Sequence, residues 1–374
     1  MTWQASAAAL AALLFLFAVP MGAADELSNP PAVAPVNPHA SPEARALLRY
    51  LYSISGRYTI TGQHNYPNHI ARWTDRAYDF TGKYPGLYGE DFGFSAGDDK
   101  DSILARPAMI KEIERQYRNG AVITLTWHAV RPADDEPVTF RDSVQGHLSD
   151  FEWNELLTPG TRLYQRWCAQ VDAAAASLNQ LQDAGVPVLW QPYPEPNGNK
   201  FWWAGRKGTR GSAALYRQLF DRLVNHHGLR NLIWVWDAAS PGFVPDAPGQ
   251  YSDFFPGLAY VDALAVNLED FNPRWRSDTF LALVGVGKVI GVGLTGRIPD
   301  PSFFTQQTGW AWFLVSSDDA SVPVPARSEV LCRLYADPRV LTRAAETGPQ
   351  PSADSKLRRI ISYERGSPCE RSDF

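Results

Sequence analysis

The chain has little of what metal and redox enzymes use. Its three cysteines, Cys168, Cys332 and Cys369, allow at most one intrachain disulfide, and their spacing matches no zinc site. There is no HExxH pair and no phosphate-cradling GxxxxGK[ST] loop; the Gly-rich stretch from Gly205 to Gly211 follows no strand-to-helix pattern and reads as a solvated loop. The histidines are scattered without ligand spacing, so no metal and no other cofactor is implied. Excess positive charge is also missing. With 35 Lys and Arg against 40 Asp and Glu, a net charge of -5 and no basic block, a nucleic-acid partner is excluded.

Long apolar runs are absent after residue 24. The single such run, residues 5 to 24, ends in small residues with Gly22 and Ala24 placed for signal-peptidase cleavage, although no Lys or Arg precedes it. It is short for a membrane-spanning helix, so residues 1–24 read as a secretory signal peptide. The mature protein is then expected outside the cell or in a periplasm, a monomer with no membrane contact. In that compartment Cys332 with Cys369 is the pair that would pin the C-terminal tail, while Cys168 is expected buried in an apolar helix.

Tryptophan, by contrast, is abundant: thirteen residues, many beside Asp, Glu, Asn or Gly. Three of them fall in Val188 to Gly205, VLWQPYPEPNGNKFWWAG. An apolar strand breaks there at Pro192 and Pro194 and at once presents Glu195, Asn197, Phe201, Trp202 and Trp203. A carboxyl walled by indoles is held partly desolvated and hence protonated near neutral pH, as a general acid requires. Flat indole faces also match the apolar CH faces of sugar rings.

The rest of the chain alternates strand and helix. Eight short apolar or β-branched runs occur: Tyr58 to Gln63, Pro85 to Gly89, Ala121 to Trp127, Val188 to Tyr193, Leu232 to Trp236, Val261 to Val266, Val289 to Leu294, and Ala311 to Val315. Helical patterns follow most of them, at His69 to Asp79, Ser102 to Asn119, Arg162 to Ala184, Ser212 to His227, Arg274 to Val284 and Ala326 to Tyr335, with Gly120 and Gly185 at helix C-caps. Eight such units in about 300 residues predict a single-domain α/β fold, a closed (β/α)8 TIM barrel. An open doubly wound sheet is disfavoured because ITGQHN, after the first strand, is not a Gly-rich phosphate turn. The barrel is expected to occupy residues 41–342, opening on the helix start Ser41-Pro42-Glu43, with a linker at 25–40 and a poorly ordered tail at 343–374.

Barrel chemistry sits where the strands end. Those ends carry His64; Glu90 and Asp91; Trp127 and His128; Glu195 and Asn197; Trp236 and Asp237; Asn267, Glu269 and Asp270; and Leu294 and Thr295. Asp91 is read there as a substrate contact, and Asp237 and Asp262 as carboxylates bonding loop amides. A long insertion, Ala129 to Gly160, follows the third strand and is expected to be functional.

Seven segments resemble glycoside hydrolase family 26, the secreted β-mannanases and related endo-glycanases: ITGQHN at Ile60, TGKYPGLYGEDF at Thr81, GAVITLTWHAVRP at Gly120, VLWQPYPEPNGNKFWWAG at Val188, GLRNLIWVWDA at Gly228, YVDALAVN at Tyr260 and IPDPSF at Ile298. The resemblance implies a (β/α)8 barrel acting on a polysaccharide or oligosaccharide. It implies an acid/base at Glu195, substrate contacts at His128, Trp127 and Asn197, and subsite aromatics at Trp202 and Trp203. It fails at the nucleophile. The family carries a Glu at the end of strand seven, where this chain has Leu294. The Arg and His that precede the family's acid are Gln191 and Pro194 here, and the family's strand-six Tyr is Glu269.

Leucine cannot attack a sugar, and a retaining mechanism needs two carboxyls roughly 5 to 5.5 Å apart. Two expectations follow. Either a relocated carboxylate, Glu269 or Asp270 on strand six or Glu90 or Asp91 on strand two, completes an inverting site, or the protein is a pseudoenzyme that binds glycan without cleaving it.

Overall fold

Alternating side chains decide the architecture. The computed structural model describes residues 33–94, 102–240, 251–268, 287–316 and 324–343 and the short strand Tyr363–Arg365. Within them, β1 (Gly62–Asn65), β2 (Leu87–Asp91), β3 (Val122–Trp127), β4 (Val188–Pro192), β5 (Leu232–Ala239), β6 (Ala263–Leu268), β7 (Val289–Thr295) and β8 (Trp310–Val315) run parallel. Each pairs with its sequence neighbour, and β8 pairs back onto β1, so the sheet closes into the (β/α)8 barrel.

One face of each strand packs on the helix layer. Ile123, Leu125 and Trp127 of β3, Val188 and Trp190 of β4 and Trp234 and Trp236 of β5 are buried there, with Met109, Trp167, Leu215 and Tyr216 from the helices. The other face fills the barrel. Inside, bulky side chains of β8 meet glycines of other strands: a methyl group added to Gly291 would fall 2.0 Å from Trp312, and one on Gly89 would fall 2.6 Å from Leu314. Large-against-small pairing of this kind gives a packed interior rather than a pore.

Helix boundaries follow capping chemistry. Ser41 Oγ accepts from Ala44 N ahead of Pro42–Ile54, Thr161 caps Arg162–Asp183, and Ser149 with Glu152 forms a capping box on Asp150–Leu156. Gly120 and Gly185 end their helices with φ of 90° and 70°, the left-handed region in which glycine carries no penalty. The helix expected at Arg274 to Val284 lies outside the described residues.

Both expected ends of the domain differ in the structure. Val36 N donates to Asp262 Oδ1 and Asn37 Nδ2 donates to Leu229 O, so the last residues assigned to the linker are tied to the barrel. At the other end, Val340–Arg343 pairs in parallel with Thr59–Ile60, and Tyr363–Arg365 adds antiparallel to it. The tail therefore contributes a strand, which its lack of periodicity concealed: three residues are too short to show a period. Cys168 is half-buried, packed beside Tyr164, rather than fully buried, and Cys332 Sγ lies 3.2 Å from Phe80 O. Cys369 lies outside the described residues. Among the described residues no helix is long and apolar enough to cross a membrane.

Candidate active site

Glu195 sits just beyond β4 on a strained turn. Tyr193 and Glu195 have φ of 51° and 56°, a conformation that costs a non-glycine residue roughly 1–3 kcal/mol. Four bonds hold it. Glu195 N donates to Asp237 O at 2.8 Å, Trp203 Nε1 donates to Pro194 O at 2.7 Å, and Asn197 grips Ala239 twice, its Nδ2 donating to the carbonyl and its Oδ1 accepting from the amide, each at 2.8 Å. The loop after β4 is thus bolted to the end of β5.

The carboxyl so placed is 4% exposed. Asn267 Nδ2 of β6 donates to its Oε1 at 2.9 Å, while Oε2 has no partner among the described residues. Burial pushes the carboxyl above its ordinary value, opposed by the Asn267 bond and by the charges of Lys200 and His128. A buried acid whose second oxygen is unbonded suits proton donation to a leaving group.

A second carboxyl is bonded to a histidine. His128 Nδ1 meets Asp91 Oδ2 at 2.6 Å, and Asp91 Oδ1 accepts from the amides of Gly93 and Phe94. Burial alone would raise the Asp91 carboxyl, but His128, His64 and the Phe94 amide together hold it below its usual range. His64, in the barrel interior, is pushed down to about 4 by burial and is neutral near pH 7. Asp91, 3% exposed, makes three bonds to the protein and orients His128, whose side chain is 16% exposed. Asp91→Asn is expected to cost roughly 1.5–3 kcal/mol at neutral pH, the worth of a hydrogen bond to a charged group, in urea unfolding. Because the folded-state value of Asp91 is depressed, this contribution is lost as pH falls through that value. A cost under about 0.5 kcal/mol would show the pair to be idle.

Several predicted contacts lie elsewhere. Trp127, Trp202 and Trp203 are buried, with at most 2% exposure, and offer no face to a sugar. Strand alternation explains Trp127: His128 and Trp127 are adjacent, so only one turns inward, and Trp127 stacks on Trp190 and Tyr193 on the helix side. Trp202 Nε1 donates to Ala129 O, anchoring the long insertion, whose Val144 O accepts from Trp202 N. Asn197 is fully buried and bonds only backbone. Beside His128, Phe201 stacks on Trp203 at 4.7 Å, and Phe140 of the insertion lies edge-on to both His128 and Phe201. Both are half-buried.

Of the candidate second carboxylates, Glu90 points into the helix layer. Tyr88 Oη donates to it at 2.6 Å, and its neighbouring charges include Glu112 of the helix Arg106–Arg118. Glu269 and Asp270 lie outside the described residues. Leu294 occupies a bulge in β7, where Gly293 and Leu294 together fill the single step between the pairings of Val292 and of Thr295 with both neighbouring strands. It is half-buried, at a place where bulges commonly re-aim a side chain toward a site.

Two interior residues went unassigned or misassigned from sequence. Asn267 received no role, and Asp237, expected to bond loop amides, instead turns its side chain into the barrel beside Glu195 and Asn267. Inward alternation along β5 and β6 was the available signal. Asp262 does what was expected, accepting from Val36 and Trp234 amides. Away from the mouth, Asp172, His226 and His227 come together, but Arg222 donates to both oxygens of Asp172 at 2.7 Å and so fills the cation's place.

A parallel barrel with a buried acid at the end of its fourth strand and an aromatic-lined opening has the architecture of a glycoside hydrolase. The family model for glycosyl hydrolase family 26 matches residues 36–345, and the chain belongs to that family. It is similar to GH26A from Muricauda sp. MAR_2010_75, with a TM-score of 0.75 and 38% identity over 83% of this chain and 100% of that one. A Podospora anserina GH26-CBM35 β-(1,4)-mannanase superposes with a TM-score of 0.67 and 27% identity, covering 89% of this chain and 71% of that one. Among curated proteins it is 32% identical over 325 residues to a mannan endo-1,4-beta-mannosidase of Thermothelomyces thermophilus, covering 84% of this chain and 64% of that protein. It spans 46% of mannan endo-1,4-beta-mannosidase B of Piromyces.

Proposed function

We propose that this chain is an exported, monomeric β-mannan-directed glycoside hydrolase in which Glu195 is the general acid. The observation that carries this reading is the Glu195 carboxyl itself, buried, fixed by Asn267 and by the β4 loop clamp, with one oxygen left for a proton. His128, held by Asp91, and the half-buried Phe201 and Phe140 form the sugar contact surface. With Leu294 at the end of β7, hydrolysis does not pass through a seventh-strand nucleophile. Glu269, next in the chain after β6, is the second carboxyl and activates water in an inverting reaction.

Digestion of β-1,4-mannan and glucomannan by the mature protein tests this. Sustained release of reducing ends, with new ends appearing first as the α-anomer in early proton NMR spectra, is expected. Products appearing first as the β-anomer would place a nucleophile in the site after all. Leu294 also favours a second reading, binding without turnover. That reading predicts retention of the protein on insoluble mannan with no products.

A further inference from the structure

The interior of the barrel holds a second carboxyl that the reaction above does not use. Asp237 is 2% exposed, and its Oδ1 has no hydrogen-bond partner among the described residues. Asn267 Oδ1 is in the same condition. Both oxygens converge on one spot: a methyl group on Gly293 would lie 2.5 Å from Asp237 Oδ1 and 2.7 Å from Asn267 Oδ1. Only the missing Cβ of Gly293 leaves room for them. The same carboxamide donates through Nδ2 to Glu195 Oε1 at 2.9 Å and also touches the Asp237 carboxyl. A single amide therefore bridges two carboxyl groups, and the backbone of one of them, Asp237 O, accepts from the amide of the other.

Two carboxyls that share one amide partner in a dry interior, the charge of one raising the other, do not both ionise near neutral pH. One must carry a proton, and a carboxylic acid is a donor where a carboxylate is only an acceptor. The unpaired Asn267 Oδ1 is an acceptor lacking a donor, and a protonated Asp237 supplies one.

We propose that Asp237 is a positioning residue for Glu195: its carboxyl donates a hydrogen bond to Asn267 Oδ1, which fixes the carboxamide so that Nδ2 is aimed at Glu195 Oε1 and Oε2 stays unbonded. Burial and then the charge of Glu195 push Asp237 far above its ordinary value against the Asn267 bond, so a protonated Asp237 agrees with this arrangement. Among the described residues the other titratable groups acting on Glu195 are Lys200 and His128. The proposal rests on the reading of Glu195 as the acid, but its test does not require turnover.

The Glu195 carboxyl is titrated by carbon-13 NMR in full-length mature protein labelled at Glu Cδ, with its resonance assigned from Glu195→Gln. Asn267→Ala is expected to raise the Glu195 midpoint, because the bond that stabilises its ionised form is lost. Asp237→Ala is expected to raise it equally, since Asp237 acts only through Asn267. Asp237→Asn replaces one neutral donor by another and should leave the midpoint within about half a unit, less than 1 kcal/mol.

A drop of a unit or more in Asp237→Asn would mean that Asp237 is ionised beside Glu195, and would overturn the proposal. So would an unmoved midpoint in Asp237→Ala when Asn267→Ala shifts it. If Asp237→Ala does not fold, the Asp237→Asn comparison alone decides. Absence of mannan hydrolysis in the wild-type protein would defeat the enzymatic reading and leave this titration result standing.

Discussion

Glu195→Gln is expected to lower the rate of mannan cleavage by about 10²- to 10⁴-fold, the usual contribution of a positioned general acid. Glutamine keeps the Oε1 acceptor for Asn267 Nδ2 and so preserves the loop, but it has no proton to give at Oε2. Oligosaccharide affinity should therefore stay within about tenfold, or 1.4 kcal/mol, by calorimetry. Working with the wild type, the same assay has a signed pH dependence. Burial raises the Glu195 carboxyl, so the protonated form persists above the ordinary carboxylate range and cleavage declines as pH rises through that elevated value. An activity that survives Glu195→Gln unchanged would remove Glu195 from the reaction.

The tryptophans separate structure from recognition. Trp202→Ala and Trp203→Ala are each expected to cost about 3–5 kcal/mol in chemical denaturation, the range for emptying a buried aromatic site. Neither ring is exposed, and each loses an Nε1 bond that ties a loop: Trp202 to Ala129 and Trp203 to Pro194. Phe201→Ala should do the reverse. Being half-buried over Trp203, its ring is expected to cost little in stability and to weaken oligosaccharide binding, by roughly 0.5–1.5 kcal/mol if it stacks on a sugar as on another ring. Should Trp203→Ala fold as stably as wild type while losing affinity, the indole would be a subsite wall and not a support.

The barrel was legible because its signals are local and repeated. Most of the eight strands are apolar runs beside a turn, β1 with its sequence GQHN being an exception, and the caps at Ser41, Thr161, Gly120 and Gly185 obey rules that need only neighbouring residues. Glu195 was legible for the same reason, at the abrupt end of a buried strand. Composition does not show that Trp127, Trp202 and Trp203 are buried, because a residue next to polar neighbours can still lie under them. At Trp127 the period of two was enough to exclude it once His128 was placed inward.

Sequence alone was sufficient for the fold, a carboxyl just beyond β4 and an aliphatic residue on β7, since strand periodicity and residue identity are one-dimensional facts. Which side chains are buried and which partners they bond was decided only by three-dimensional packing. Asp91 and Asn197 bond groups of the protein, and Glu195, just beyond β4, meets Asp237 of β5 and Asn267 of β6. Closure of the barrel brings those strands' ends together, and no spacing along the chain records how far apart, or in which protonation state, the groups will be.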